Sequence, residues 1–192
     1  MTDMELARSR RKLLLIAATA FVPMLIAYGL FFFAPDLIPK TTTNRGELVQ
    51  PSIDVSDLMA TEGRWQLLMP MAAACSQTCA ETLQEVLHQT RQINIALGKN
   101  ADRLGRGLVR ATPFSPAEGE VMKADYPDLQ LIIDAKLLAQ LTAVSSMSQA
   151  PEGYHVFLVD PVGQLILAYP ASKVDKPLLL DLKHLMKVSN IG

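Results

Sequence analysis

Trp65-Gln66-Leu67-Leu68-Met69-Pro70-Met71, followed by Ala72-Ala73-Ala74 and then Cys75-Ser76-Gln77-Thr78-Cys79, is the stretch on which the fold turns. The first seven residues are an apolar run of strand length, too short for a helix and bounded by Gly63 and by the small residues. They read as a buried strand. Residues 79–97 then place Leu83, Val86, Leu87, Ile93 and Leu97 at helical spacing, with Gly98 as the natural stop. A strand hands over to a helix, and the only two cysteines of the chain, Cys75 and Cys79, stand at that handover.

Outward from this unit toward the C-terminus, residues 104–112 are a second strand candidate. Ser115-Pro116-Ala117-Glu118 opens a helix with a cap, a proline at the first position and an acidic first turn. Residues 129–133 make a third strand, followed by a helix over 135–144. Residues 154–159 and 164–169 flank Asp160-Pro161-Val162-Gly163, a strong turn signal, and so predict an antiparallel hairpin. A helix over 176–188 closes the chain. This order implies an α/β domain, a mixed sheet covered by helices, and it contains no internal repeat.

Toward the N-terminus, residues 34–51 are rich in Pro, Thr and Asn and suit a tether, with a short strand near 47–49 at most. Residues 13–33 carry no charge, and at 1.5 Å per residue they make about 31 Å of helix, enough to cross a bilayer core. Arg8, Arg10, Arg11 and Lys12 precede the span and Asp36 follows it, so the positive-inside rule puts the N-terminus in the cytoplasm and exports the domain. Ala18-Thr19-Ala20 resembles a signal-peptidase site, but apolar sequence runs on to Phe33, which favours an uncleaved anchor. The expected organisation is a cytoplasmic segment 1–12, a transmembrane helix 13–34, a linker 35–60 and a soluble domain 61–192. Lys plus Arg number 18 against 19 Asp plus Glu; the net charge of -1 gives no general attraction to a nucleic-acid backbone, and no nucleic acid is expected as a partner.

Thr78 followed by Glu81 has the capping-box pattern, which predicts Cys79 in the first helical turn, where free amides and the helix dipole favour a thiolate. In an oxidising compartment two thiols four positions apart can close a disulfide or together bind a soft metal such as Cu(I). A purely structural disulfide would close so short a loop that it adds on the order of 2 kcal/mol or less. Functional thiols are the stronger expectation.

From these residues the chain resembles the SCO/SenC family, membrane-anchored thioredoxin-like proteins that help assemble the copper centres of respiratory oxidases. The resemblance rests on the N-terminal anchor, the strand and Cys75-Ser76-Gln77-Thr78-Cys79 with its helix, Leu97-Gly98-Lys99-Asn100-Ala101-Asp102-Arg103, and the hairpin Phe157-Leu158-Val159-Asp160-Pro161-Val162-Gly163. It extends over most of residues 65–188. It implies a thioredoxin-like fold, an inner-membrane protein with its domain in the periplasm, an oxidase subunit carrying a copper site as partner, and copper held by the two cysteines and a distant histidine.

In the family that histidine stands eight positions ahead of the Asp-Pro turn. Eight back from Asp160 is Glu152, and the nearest histidine is His155, inside the predicted strand. The family's acidic segment after its second strand is also missing, since Thr112-Pro113-Phe114-Ser115-Pro116 stands there. The chain is a divergent member by this reading, with Cys75, Cys79 and His155 as the candidate metal ligands. His88 lies about 180° around the helix from Cys79 and His184 lies in the last helix; both read as solvated. Pro151 marks the place where thioredoxin-like folds put a cis-proline opposite the cysteines. Trp65, Met69 and Met71 read as core filling.

Two classes of function follow. One is an accessory protein for oxidase assembly that acts through Cys75 and Cys79, by copper delivery or by thiol-disulfide reduction. Resemblance makes Cys75 the attacking thiol, whereas the capping pattern favours Cys79. The other is a non-catalytic interaction module whose disulfide is scaffold. A peroxidase-like thiol enzyme is the weakest reading, because no arginine or threonine can be set beside either cysteine.

Overall fold

The computed structural model describes residues 3–33, 44–72, 76–147 and 153–189. They fall into two units, which divide between Thr43 and Asn44. The first is a single helix, α1 (Asp3–Phe33), in which the stretch from Arg10 to Phe33 contains an 18-residue window of mean hydropathy 2.2 and is long and apolar enough to cross a membrane. Leu13, Ile16, Phe21, Leu25 and Phe31 are all exposed on it. Such a surface is suited to lipid rather than to water.

The second unit is a six-stranded mixed sheet in the order β1-β6-β5-β2-β3-β4. Its strands are β1 (Glu47–Asp54), β2 (Trp65–Met71), β3 (Leu104–Arg110), β4 (Leu129–Ile133), β5 (His155–Val159) and β6 (Gln164–Pro170). Strands β2, β3 and β4 run parallel, while β5 and β6 form the expected antiparallel hairpin and β1 pairs antiparallel with β6. The helices are α2 (Gln77–Ala96), α3 (Pro116–Asp125), α4 (Ala135–Met147) and α5 (Lys176–Val188).

Strand alternation sorts the core into two layers. Leu67 and Met69 of β2 and Val156 and Leu158 of β5 pack against Leu83, Val86 and Leu87 of α2 and Leu178, Leu182 and Met186 of α5. Leu68, Phe157 and Val159 face the other way, onto Leu137, Leu141 and Val144 of α4. The central strands are therefore buried on both sides, which is why β2 reads as a continuous apolar run rather than an alternating one. Trp65 and Met69 are core residues, as read from the sequence.

The stretch expected as tether up to residue 60 behaves differently. It carries the whole of β1, eight residues long, and Val55 and Met59 are buried against the α4 layer. Only pairing with β6, distant in sequence, makes this polar segment a strand. Pro51 is accommodated because β1 is an edge strand with one neighbour.

Local signals elsewhere are realised closely. Ser115 caps α3 and Glu118 closes a capping box with it. At the hairpin turn the Asp160 carboxylate accepts from the amides of Val162 and Gln164 at 3.0 and 2.8 Å, and Gly163 adopts φ +94°. Gly98, at φ +58°, ends α2 and leads into a 3-10 turn, Gly98–Arg103, before β3.

Candidate functional site

The helix that carries Cys79 starts two residues earlier than the capping pattern suggests. Ser76, not Thr78, is the N-cap: its hydroxyl accepts from the Cys79 amide at 3.3 Å. Glu81 instead takes a side-chain hydrogen bond from Gln77. Cys79 thus sits at the third helical position, still within the first turn, where backbone amides point toward the helix end. Its sulfur is in a disulfide. Cys75 lies outside the described residues, as do Pro151 and Glu152.

Pro70 shapes the space in front of Cys79. The β2–β5 ladder pairs Gln66 with Val159, Leu67 with Leu158 and Leu68 with Phe157. Continued, that register would set Pro70 opposite His155, but a proline has no N–H to give to the ladder and pairing stops at Leu68. The two strands part there. A cavity of about 320 Å³ opens at that end of the sheet, lined by Pro70, Cys79, Tyr154, His155 and, from α4, Thr142 and Ser145.

His155 therefore does share a cavity with Cys79, even though its place in the sequence is three positions late for the family's ligand. It is buried, at 1% exposure, and is the first residue of β5. Its ring lies beside Phe157, 6.4 Å between centroids, on the α4 face, whereas α2 packs on the opposite face. The two residues line the one cavity from opposite faces of the sheet. Among the described residues no group of three His, Cys, Asp or Glu side chains is arranged to hold a metal ion. His88 and His184 are exposed on α2 and α5, as expected.

Sequence reading did not single out Tyr154, the residue just ahead of β5. It lines the cavity, and its buried hydroxyl has no hydrogen-bond partner among the described residues. Burial pushes its phenol far above the ordinary tyrosine value. The signal was present, in that a tyrosine stood two positions before the buried Val156, but only the sheet reveals which face it takes.

Two further buried polar clusters lie away from the cavity. The guanidinium of Arg106, 1% exposed, donates to the Leu87 carbonyl at 2.6 Å, to the Thr90 hydroxyl at 2.9 Å and to Asp128 at 2.9 Å, tying β3 to α2. Burial lowers its pKa while Asp128 opposes the shift. The carboxylate of Asp181 on α5, 4% exposed, accepts from the Arg45 and Gly46 amides and from the Tyr169 hydroxyl. A larger apolar groove of about 500 Å³ runs between α2 and α3 from Met71 and Ala80, next to Cys79, to Met122 and Tyr126.

The comparisons with known proteins bear on this geometry. No curated protein matches the sequence. Among solved structures the chain is similar to BsSco, described as a member of the Sco family of cytochrome c oxidase assembly proteins with a disulfide switch (11% identity, 78% of this chain and 98% of that one, TM-score 0.49). It is similar to yeast Sco1 with copper bound (14% identity, 78% and 96%, TM-score 0.49) and to a thiol:disulfide interchange protein from Bacteroides sp. (16% identity, 76% and 91%, TM-score 0.41). A family model described as transmembrane-like, thioredoxin-like, C-terminal domain matches residues 65–189. That match begins at the first residue of β2, ends just past α5 and takes in the cavity with Cys79, and by it the chain belongs to the transmembrane-like, thioredoxin-like family.

Proposed function

We propose that the chain is an inner-membrane accessory protein of respiratory oxidase assembly, with its domain in the periplasm, and that it works on a copper-site subunit by thiol-disulfide exchange at Cys75 and Cys79. The observation that carries the reading is Cys79, disulfide-bonded in the first turn of α2 and lining a cavity at the open end of the sheet. Its partner is Cys75, since the sequence has no third cysteine.

In the reduced chain one cysteine thiolate attacks a disulfide of the client, forming a mixed disulfide and releasing a client thiolate. The second cysteine then attacks the mixed disulfide, which frees the other client sulfur and leaves the Cys75–Cys79 bond. Two electrons pass to the client, and its two sulfurs take up the two protons. The first-turn position favours the thiolate form of Cys79, while resemblance to thioredoxins assigns the attack to Cys75.

A second reading, copper as cargo, is favoured by the shared cavity of Cys79 and His155. The disulfide form does not fit the metal, because it offers no thiolate. The reduced form does: Cys75, Cys79 and His155 would supply two thiolates and an imidazole, donors that suit Cu(I).

The test takes the full chain in detergent, wild type beside Cys75→Ser, Cys79→Ser and His155→Ala. Ready, reversible reduction of the folded wild type, with a client-disulfide peptide trapped by only one single-cysteine variant, supports exchange and names the attacking thiol. Stoichiometric Cu(I) bound anaerobically and lost in all three variants turns the reading to copper delivery. A disulfide that stays closed until the fold is lost makes it scaffold, and the domain a non-catalytic module.

A further inference from the structure

One residue lining the cavity, Tyr154, carries a buried hydroxyl that exchange between cysteines leaves unexplained. Alternation along β5 puts the Tyr154 ring on the α2 side, and it packs with Val156 and Leu158 against the cluster that α2 covers. Cys79 and Tyr154 line one cavity. The other buried tyrosine hydroxyl in this layer, Tyr169, finds the Asp181 carboxylate at 3.0 Å; that of Tyr154 finds none among the described residues. Buried donors without partners are uncommon in folded proteins and call for a reason.

The disulfide supplies one. A sulfur in a disulfide is a poor acceptor, whereas a thiolate accepts a charge-assisted bond. We propose that the Tyr154 hydroxyl is a donor held for the Cys79 sulfur, so that its hydrogen bond forms only when the disulfide of Cys79 is reduced. This rests on the dithiol reading above and adds a residue to it.

The consequence is a bias toward the reduced form. An unsatisfied hydroxyl raises the free energy of the oxidised chain and a new bond lowers that of the reduced one, so both effects act in the same direction. With glutathione as reductant, the Cys75–Cys79 bond breaks and a bond between two glutathione sulfurs forms. Two electrons pass to the chain, and the two glutathione thiol protons pass to the cysteines or, where a thiolate remains, to water.

The experiment titrates the full chain in detergent through a series of glutathione ratios, wild type against Tyr154→Phe, which deletes the hydroxyl and keeps the ring. The expected result is a reduction equilibrium about tenfold less favourable in the variant, a midpoint about 30 mV more negative. Thermal unfolding of each form gives a second readout. Oxidised Tyr154→Phe unfolds at or above the wild-type temperature, and reduced Tyr154→Phe unfolds below it. A tyrosine that only packs would shift both forms alike and leave the midpoint in place, which overturns the proposal while exchange stands. If the wild type itself stays oxidised throughout the series in its folded state, the dithiol reading and this proposal fall together.

Discussion

Asp181→Ala is the substitution whose effect can be worked out most fully. Asp181 Oδ2 accepts from three donors: the Arg45 amide at 2.7 Å, the Gly46 amide at 3.1 Å and the Tyr169 hydroxyl at 3.0 Å. Arg45 also offers its guanidinium to Oδ1 at 3.1 Å, but that side chain is 49% exposed and water can replace the carboxylate there. The Gly46 amide and the Tyr169 hydroxyl are buried, and water does not reach them. Each orphaned donor costs about 1–3 kcal/mol, so the substitution should destabilise the domain by about 2–6 kcal/mol. At roughly 3 °C per kcal/mol for a domain of this size, Tm should fall by roughly 6–18 °C. Because Arg45 and Gly46 lead directly into β1, the loss should also appear as faster amide exchange across Glu47–Asp54. Thermal unfolding and hydrogen exchange on the full chain in detergent measure both. Asp181→Asn keeps one acceptor oxygen and should lose clearly less. A fall in Tm below about 3 °C for Asp181→Ala, with β1 exchange unchanged, would refute the idea that this carboxylate clamps the start of the sheet.

Two other outcomes follow from the same geometry. Tyr154 and Tyr169 are held far above the ordinary value of 10.0, by burial in both and by the Asp181 charge in Tyr169. The unfolded chain releases these protons above about pH 10 while the fold keeps them, so their stabilising effect is whole below pH 10 and declines above it. The slope should reach up to about 1.4 kcal/mol per pH unit per tyrosine, and urea midpoints of Tyr169→Phe between pH 9 and 11 should show the smaller slope. Gly163→Ala meets a backbone at φ +94° and would place its Cβ 2.7 Å from Ser56 Cβ and 2.9 Å from Ser56 Cα. It should destabilise by about 1–3 kcal/mol, read as a lower denaturant midpoint at constant m-value; an unchanged midpoint would show that the turn relaxes freely.

How much was legible in the sequence differs from residue to residue, and for a physical reason. The β2 run, the Ser115–Glu118 capping box, the Asp160–Gly163 turn and the apolar helix before Phe33 are local patterns, decided by neighbours within a few positions. Such patterns carry their own energetics, so spacing alone sufficed for them and for the position of Cys79 in a first helical turn. The cap itself was misplaced by two residues, because Ser76 and Thr78 are equally suitable by type and local spacing does not choose between them.

What lies far apart in sequence waited for the sheet. Counting from the Asp-Pro turn gave no reason to set His155 beside Cys79; the parting of β2 and β5 at Pro70 does so, from the opposite face. Asp181 reaches a backbone 135 residues away at Gly46, and a polar stretch becomes β1 because β6 offers an edge. The sequence by itself determined the apolar helix, most of the strands and helices, and the place of Cys79 in a first helical turn. The tertiary structure alone decided the company kept by Cys79, because face and neighbour in a sheet depend on strand order and a period of two, which no local spacing encodes.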